Sequence, residues 1–109
     1  MQSKLLFALS LCRKAGALVT GYDAVKESVD TGKAHIVLCA ADAAERTVRH
    51  MRQACEGIVE FHVMELEKSE LDRITKKPTA VFAVTNRELA NLCRTAMPGQ
   101  TATDKEERP

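Results

Sequence analysis

The sequence predicts an α/β protein: a three-layer α/β/α sandwich whose four-stranded mixed sheet is covered by about five helices. Helix-type and strand-type hydrophobic patterns alternate along the chain, beginning and ending with a helix. A nearly continuous apolar run at residues 35–40 is typical of a central strand buried on both faces. The 109 residues are 45% hydrophobic and 28% charged, which suits one soluble domain with one hydrophobic core. We expect that domain at residues 1–97, followed by a disordered tail at 98–109.

The first helix has apolar residues at three- and four-residue spacing: Leu5, Leu6, Leu9 and Cys12. Gly16 stands where a C-terminal cap is expected, and residues 18–20 form a short strand. Thr20 and Asp23 fit the capping-box pattern, which predicts a second helix from about Gly21 to Gly32.

The buried strand at 35–40 is followed by a third helix. Asp42 and Glu45 are its start signals, and Gly57 closes it. Its apolar stripe is Val48, Met51 and Cys55, whereas Arg46, Arg49 and Arg52 point elsewhere. Residues 59–63 then alternate apolar and polar side chains, as a half-exposed strand does.

A short helix capped by Ser69 and running to roughly Lys76 precedes the last strand, at residues 79–84. Residues 85–88 form a third candidate capping box, with Thr85 as the cap. The final helix takes its apolar face from Leu89, Leu92, Cys93 and Ala96.

The net charge of +1 argues neither for nor against a nucleic-acid partner, so any basic surface must be local. No apolar run approaches the roughly 18 residues of a membrane-spanning helix, and the N-terminus has no signal-peptide pattern. We therefore expect a cytoplasmic protein with no membrane contact.

The four cysteines include no C-x-x-C pair, and each lies in an apolar stretch. We expect them to be small buried hydrophobes in a reducing compartment. The three histidines show no metal-ligand spacing, so we expect no metal and no cofactor.

Asp23 and Asp42 each follow a strand at the predicted start of a helix. Paired carboxylates there can serve acid/base chemistry or hold Mg²⁺, but capping of helix N-termini is the reading we favour. The free N–H groups at such helix starts also bind anions, including phosphates. Tyr22, the only tyrosine, either stacks on an unpaired base or packs over the helix start.

Several segments, taken together and in order, resemble the L7Ae/L30e ribosomal-protein superfamily, above all its small bacterial ribosomal-protein-like members. They are RKAGALVTG at 13–21, GKAHIVLCAADA at 32–43, LDRITKK at 71–77 and VFAVTN at 81–86. The resemblance covers residues 4–96. It implies the same three-layer sandwich and a non-enzymatic protein that binds structured RNA, typically a kink-turn.

In that family, RNA contacts the junction of the first strand and second helix, the junction of the second strand and third helix, and the loop before the last strand. The resemblance assigns these places here to Thr20, Gly21, Tyr22, Asp23, Ala24, Lys26, Glu27, Ala41, Asp42, Pro78, Thr79, Ala80 and Val81. The basic residues Arg13 and Lys14 are further candidates for RNA contact near this edge.

The second helix departs from the kink-turn pattern, in which Gly is followed by a small residue, Asn, Glu, two further residues and Lys. Asp23 stands in place of Asn, and an ionised carboxylate cannot donate a hydrogen bond to guanine. Ala24 lacks the acceptor, and Glu27 replaces a cation with an anion. Each lost contact costs about 1–3 kcal/mol, so we expect weakened binding to ordinary kink-turns.

We therefore predict a monomeric, non-enzymatic protein that binds structured RNA, with the ribosome among its candidate partners. One alternative is a protein-interaction module on the same fold that has lost kink-turn binding. The other is a small enzyme that uses Asp23, Asp42 or a thiol, Cys12 or Cys39.

Overall fold

A computed structural model describes residues 4–75 and 79–97 of the chain. Over these residues helices and strands alternate as predicted. The elements are α1 (Lys4–Lys14), β1 (Leu18–Thr20), α2 (Tyr22–Asp30), β2 (Ile36–Cys39), α3 (Glu45–Cys55), β3 (Glu60–Val63), α4 (Lys68–Leu71), β4 (Val81–Val84) and α5 (Arg87–Ala96). The predicted tail at 98–109 and Lys76, the predicted end of the fourth helix, lie outside the described residues.

The four strands form one sheet in the order β1-β4-β2-β3. β2 and β3 are parallel, whereas β4 is antiparallel to both of its neighbours, which confirms the predicted mixed sheet. Val81 of β4 pairs with Cys39, and Phe82 pairs with Thr20. The ends of β1 and β2 and the start of β4 therefore meet at one end of the sheet.

Two apolar cores, one on each face of the sheet, confirm the three-layer arrangement. Side chains alternate along the central strands, so Leu38 and Phe82 face α1 and α5 while Val37 and Ala83 face α2 and α3. All residues of β2 and β4 are buried, as the apolar run at 35–40 predicted for a central strand.

The end of α1 confirms the predicted cap at Gly16. This residue has φ +73°, a conformation in which an L side chain is strained. Its N–H donates to the Arg13 carbonyl at 3.1 Å, and the Ala17 N–H donates to the Cys12 carbonyl at 2.8 Å. These two bonds close the helix and direct the chain into β1.

The predicted N-terminal caps of α2 and α3 are wrong. Thr20 is not the cap of α2, because it is the last residue of β1 and Gly21 occupies the cap position with no side-chain hydrogen bond. Asp42 is not the cap of α3, because that helix begins three residues later and its cap is Ala44.

The two later caps are also displaced from their predicted positions. Ser69 lies inside α4, which is capped by Glu67 in a capping box with Glu70. At α5 the Asn86 side chain, not Thr85, accepts a hydrogen bond from the Leu89 N–H at 2.9 Å.

All four cysteines are buried free thiols, as predicted. None of the described helices is long and apolar enough to cross a membrane. In the parts of the chain that the structure describes, no group of three or more His, Cys, Asp or Glu side chains is placed to hold a metal ion.

Candidate RNA interface

Three loop segments meet at the end of the sheet where β1 and β2 finish. The Gly21 N–H donates to the Val81 carbonyl at 3.0 Å, and the Ala40 N–H donates to the Ala80 carbonyl at 2.8 Å. Both junctions, β1–α2 and β2–α3, are thereby tied to the segment that enters β4. We call the surface formed by residues 20–24, 41–42 and 79–80 the junction surface.

The start of α2 offers backbone donors at the junction surface. Gly21 has φ +95° and ψ 147°, which places it close to a region open essentially to glycine, and its own N–H is used by Val81. Gly21, as the N-cap residue, has no side chain with which to cap the helix. An α-helix leaves its first N–H groups without intrahelical acceptors, so those of Tyr22, Asp23 and Ala24 are free to bind an anion.

Tyr22 is half-buried and packs against the core between the sheet and α2/α3. This contact favours packing over the helix start, one of the two roles considered for the ring. Asp23 and Ala24 are exposed beside it, so the first turn of α2 presents a carboxylate and a methyl group to solvent.

Asp42 joins two segments of the molecule. Its Oδ1 accepts a hydrogen bond from the Lys68 N–H at 2.9 Å, and the neighbouring Ala41 N–H donates to the Leu66 carbonyl at 2.7 Å. The carboxylate therefore lies at the first residue of α4, a helix far from it in sequence. The predicted capping of α3 by Asp42 is therefore wrong: the carboxylate accepts from the first N–H of α4, whose N-cap residue is Glu67.

The residues that lead into β4 differ in their exposure at the junction surface. Thr79 and Ala80 are half-buried and remain at the surface. Val81 is only 2% exposed, because its side chain lies in the core beside α2 and α3. Its carbonyl accepts the hydrogen bond from the Gly21 N–H, so Val81 positions the junction surface through its backbone while its side chain stays buried. Pro78, from the same predicted loop, lies outside the described residues.

The basic candidates are not gathered in one place. Lys26, on α2, forms an ion pair with Asp30 at 3.2 Å, and both side chains are largely exposed. Such exposed pairs contribute little energy, so Lys26 can exchange Asp30 for a phosphate. Arg13 and Lys14 lie in the last turn of α1, which leads into the first residue of β1. The junction surface lies at the other end of that strand. The structure therefore does not bring them to the junction surface.

Sequence comparison places the chain in a known family. The profile of the ribosomal protein L7Ae/L30e/S12e/Gadd45 family matches residues 3–103. The chain belongs to this family.

Solved structures agree with this assignment. A protein with unknown function from Bacillus halodurans is 28% identical with a TM-score of 0.75, covering 84% of this chain and 98% of its own. The Giardia lamblia 15.5kD RNA binding protein is 27% identical with a TM-score of 0.70, covering 91% of this chain and 86% of its own. No curated protein matches in sequence. The family includes kink-turn RNA binders and is generally non-catalytic.

Both thiols named for the enzyme alternative are buried, and their pKa values shift in opposite directions, since the hydrogen bond with Cys93 lowers the pKa of Cys12. Burial raises the pKa of Cys39 to about 11, helped by the neighbouring Cys55, so the group stays a neutral thiol at neutral pH. Cys12 lies with its Sγ 3.8 Å from that of Cys93, and neither side chain is exposed.

A cavity of about 490 Å³ lies at the start of α1 and the end of β3, beside Lys4, His62 and Glu65. None of its described lining residues is Asp23, Asp42, Cys12 or Cys39. The residues named for the enzyme alternative therefore do not line this cavity.

Sequence reasoning assigned no role to the arginines of α3, although it placed them off the apolar stripe. In the L7Ae-family protein Arg46, Arg49 and Arg52 are all exposed. Because α3 follows β2, the helix begins at the sheet end that carries the junction surface. The spacing of three residues between successive arginines is the signal that predicts one charged face.

Proposed function

We propose that this L7Ae-family protein is a non-enzymatic, monomeric cytoplasmic protein that binds structured RNA through its junction surface, with ribosomal RNA among the candidates. The observation that carries the proposal is the pair of hydrogen bonds from Gly21 to Val81 and from Ala40 to Ala80, which assembles the three segments. Membership of a family that includes kink-turn binders supports it, as does the similarity to an RNA binding protein of Giardia lamblia.

The chemistry of the surface suits a bent RNA. The free N–H groups at the start of α2 and the positive end of its dipole attract a phosphate. Lys26, one turn along the same helix, supplies a mobile positive charge. Ala80 offers an apolar surface for an unstacked base, the feature by which proteins usually recognise single-stranded or bulged RNA.

The carboxylates on α2 limit this interaction. Asp23 and Glu27 are both exposed on the helix that is to receive the phosphate backbone. Their charge opposes phosphate, and Asp23 cannot donate to a guanine edge while ionised. We therefore expect binding to an ordinary kink-turn that is weaker than that of family members with Asn and Lys at these two positions.

The distribution of exposed apolar side chains favours RNA over a protein partner at this surface. A protein-binding surface is marked by a contiguous exposed apolar patch. The large hydrophobic side chains that are exposed in the described residues are Phe7, Ile58, Val63 and Leu92. None of them belongs to the junction surface, where Val81 is buried and Tyr22 is half-buried.

The test is a titration by fluorescence anisotropy of a kink-turn RNA and a straight duplex of equal length, at about 50 and 200 mM salt. We expect the kink-turn to bind more tightly than the duplex. The variant Lys26→Gln should weaken kink-turn binding and reduce the salt slope by about 1. The matched control Lys33→Gln removes an exposed charge beyond the other end of α2 and should change neither.

Equal affinity for the two RNAs, or no binding to either at the lower salt concentration, would overturn the proposal. An affinity unchanged in Lys26→Gln would remove that residue from the interface.

A further inference from the structure

The three arginines of α3 form one solvent-exposed face of the helix. Arg46, Arg49 and Arg52 follow one another at intervals of three residues and are all exposed. Residues three apart are neighbours on a helix surface, so Arg49 lies beside both Arg46 and Arg52, and the three positions span an arc of about 120° around the helix. We call these residues the arginine face. The opposite side of α3 carries the buried Met51 and Cys55, so the orientation of the helix is determined by its packing.

The charge of the arginine face is not neutralised within the described protein. Over residues 4–75 and 79–97, neither Arg46 nor Arg49 takes part in an ion pair or a side-chain hydrogen bond. Glu45 precedes Arg49 by four residues, a favourable spacing, yet the two do not pair. The helix contains one glutamate against three arginines, and the exposed Glu56 follows its last turn. Its exposed side therefore carries local positive charge in a protein whose net charge is only +1.

Arg52 is held at one end of this face. Its Cζ lies 5.3 Å from the centre of the Phe61 ring, a cation–π contact between α3 and β3. The contact orients the guanidinium, and among the described residues no carboxylate forms an ion pair with it, so its positive charge remains available.

The arginine face starts at the end of the sheet that carries the junction surface, because α3 follows β2 directly after the Asp42 loop. From Arg46 to Arg52 the helix rises about 9 Å, which carries the positive charge away from that surface along one side of the molecule. A ligand that leaves the junction surface in this direction passes all three arginines.

We propose that the arginine face binds the phosphate backbone of the RNA helix that flanks the structured element held at the junction surface. The proposal rests on the proposed function. Charge complementarity selects this occupant, since guanidinium groups bind phosphate with two parallel hydrogen bonds and need no particular base sequence. The face thus adds affinity for a double-stranded segment, and the junction surface recognises the bent element.

The variant Arg46→Gln/Arg49→Gln tests this role, because both side chains are exposed and their loss leaves no buried group unpaired. The matched control Lys33→Gln/Arg87→Gln removes the same two charges at the opposite end of the sheet, next to the start of β2 and the end of β4. Thermal unfolding followed by circular dichroism should be the same for both variants and the parent protein.

The RNA probes are a kink-turn with a long flanking helix, the same kink-turn with that helix shortened, and a straight duplex. We expect Arg46→Gln/Arg49→Gln to bind the long probe roughly 30-fold more weakly at about 0.1 M salt and to reduce its salt slope by about 1.5. The shortened probe should bind both the variant and the parent protein equally. The control variant should match the parent protein on every probe.

The outcomes separate this proposal from the proposed function. Unchanged affinity and slope on the long probe would overturn the arginine face as an RNA contact and leave RNA binding at the junction surface standing. Equal binding of bent and straight RNA, weakened for both by Arg46→Gln/Arg49→Gln, would support the arginine face and overturn the proposed function. Binding of poly-glutamate that depends on these arginines, without any effect on RNA, would assign the face to an acidic protein and overturn the proposal.

Discussion

The side chain of Asp42 accepts a hydrogen bond from the backbone N–H of Lys68, with 2.9 Å between Oδ1 and nitrogen, although the residues lie 26 positions apart. A carboxylate at this position satisfies a free N–H at the start of a helix. The bond clamps the loop between β2 and α3 to the start of α4. One side of the junction surface is therefore positioned by a contact with a distant element.

Replacement of Asp42 with Ala should lower the free energy of unfolding by about 1 kcal/mol, the usual cost of losing a helix cap. Urea unfolding measures the change. Asp42→Asn retains an oxygen acceptor and should recover most of the loss. Asp30→Ala is the control, because Asp30 forms only an exposed ion pair and its loss should cost well under 1 kcal/mol. Equal stability of Asp42→Ala and the parent protein would contradict the clamp.

Gly21→Ala should destabilise the protein by about 1–3 kcal/mol, because its φ of +95° is strained for any residue with a side chain. An added Cβ meets no atom within 4 Å, so the cost comes from the backbone and not from a clash. Gly16→Asn, at φ +73°, is the comparison, since Asn tolerates the left-handed helical region. Chemical denaturation of the two variants should show the larger loss at Gly21.

Stability should fall at acidic pH through Glu60. Burial raises the pKa of this carboxyl group, but hydrogen bonds from Arg94 and His62 outweigh it and hold the pKa below its usual value of 4.5. A carboxylate whose pKa is lowered by folding stabilises the protein above the unfolded pKa, and this stability is lost as the pH falls through the folded pKa. Urea unfolding between about pH 6 and pH 3 should show the loss.

Glu60→Gln should flatten this pH dependence, because the amide cannot titrate. The exposed Glu65→Gln is the control and should leave the curve unchanged. A Glu60→Gln curve as steep as that of the parent protein would show that other groups control acid unfolding.

Asp23→Asn combined with Glu27→Lys should raise affinity for a kink-turn RNA by at least tenfold and leave affinity for a straight duplex less affected. The change restores a hydrogen-bond donor for guanine, worth about 1–3 kcal/mol, and replaces an anion with a cation. Both positions are exposed, so the fold should tolerate it. Glu88→Lys, an exposed charge reversal in the first turn of α5 at the other end of the sheet, controls for the non-specific effect of added positive charge. An equal gain for both RNAs would mean that charge alone causes the effect.

The order of helices and strands and many of the residues that face the two cores follow from the sequence pattern alone, although Leu92, predicted on the apolar face of α5, is exposed. The strictly apolar β2 and the stripe of Met51 and Cys55 on α3 could be predicted because burial imposes a period on neighbouring residues. The Gly16 cap was predictable for a similar reason, since its signal lies within one turn of the helix it ends. The junction segments could be predicted from the resemblance to the L7Ae/L30e superfamily, whose corresponding segments occur in the same order along the chain.

Which of these residues act together depends on contacts between distant parts of the chain. The sheet order, the clamp from Asp42 to Lys68 and the bond from Gly21 to Val81 join residues far apart in sequence. No local period encodes such pairings, and for this reason the position of Asp42 in the sequence indicates the wrong helix. Arg13 lies near Gly21 in sequence, but the strand between them carries the chain to the other end of the sheet. The arginines of α3 form a candidate site only because packing fixes the buried side of the helix and leaves them without an ion pair among the described residues.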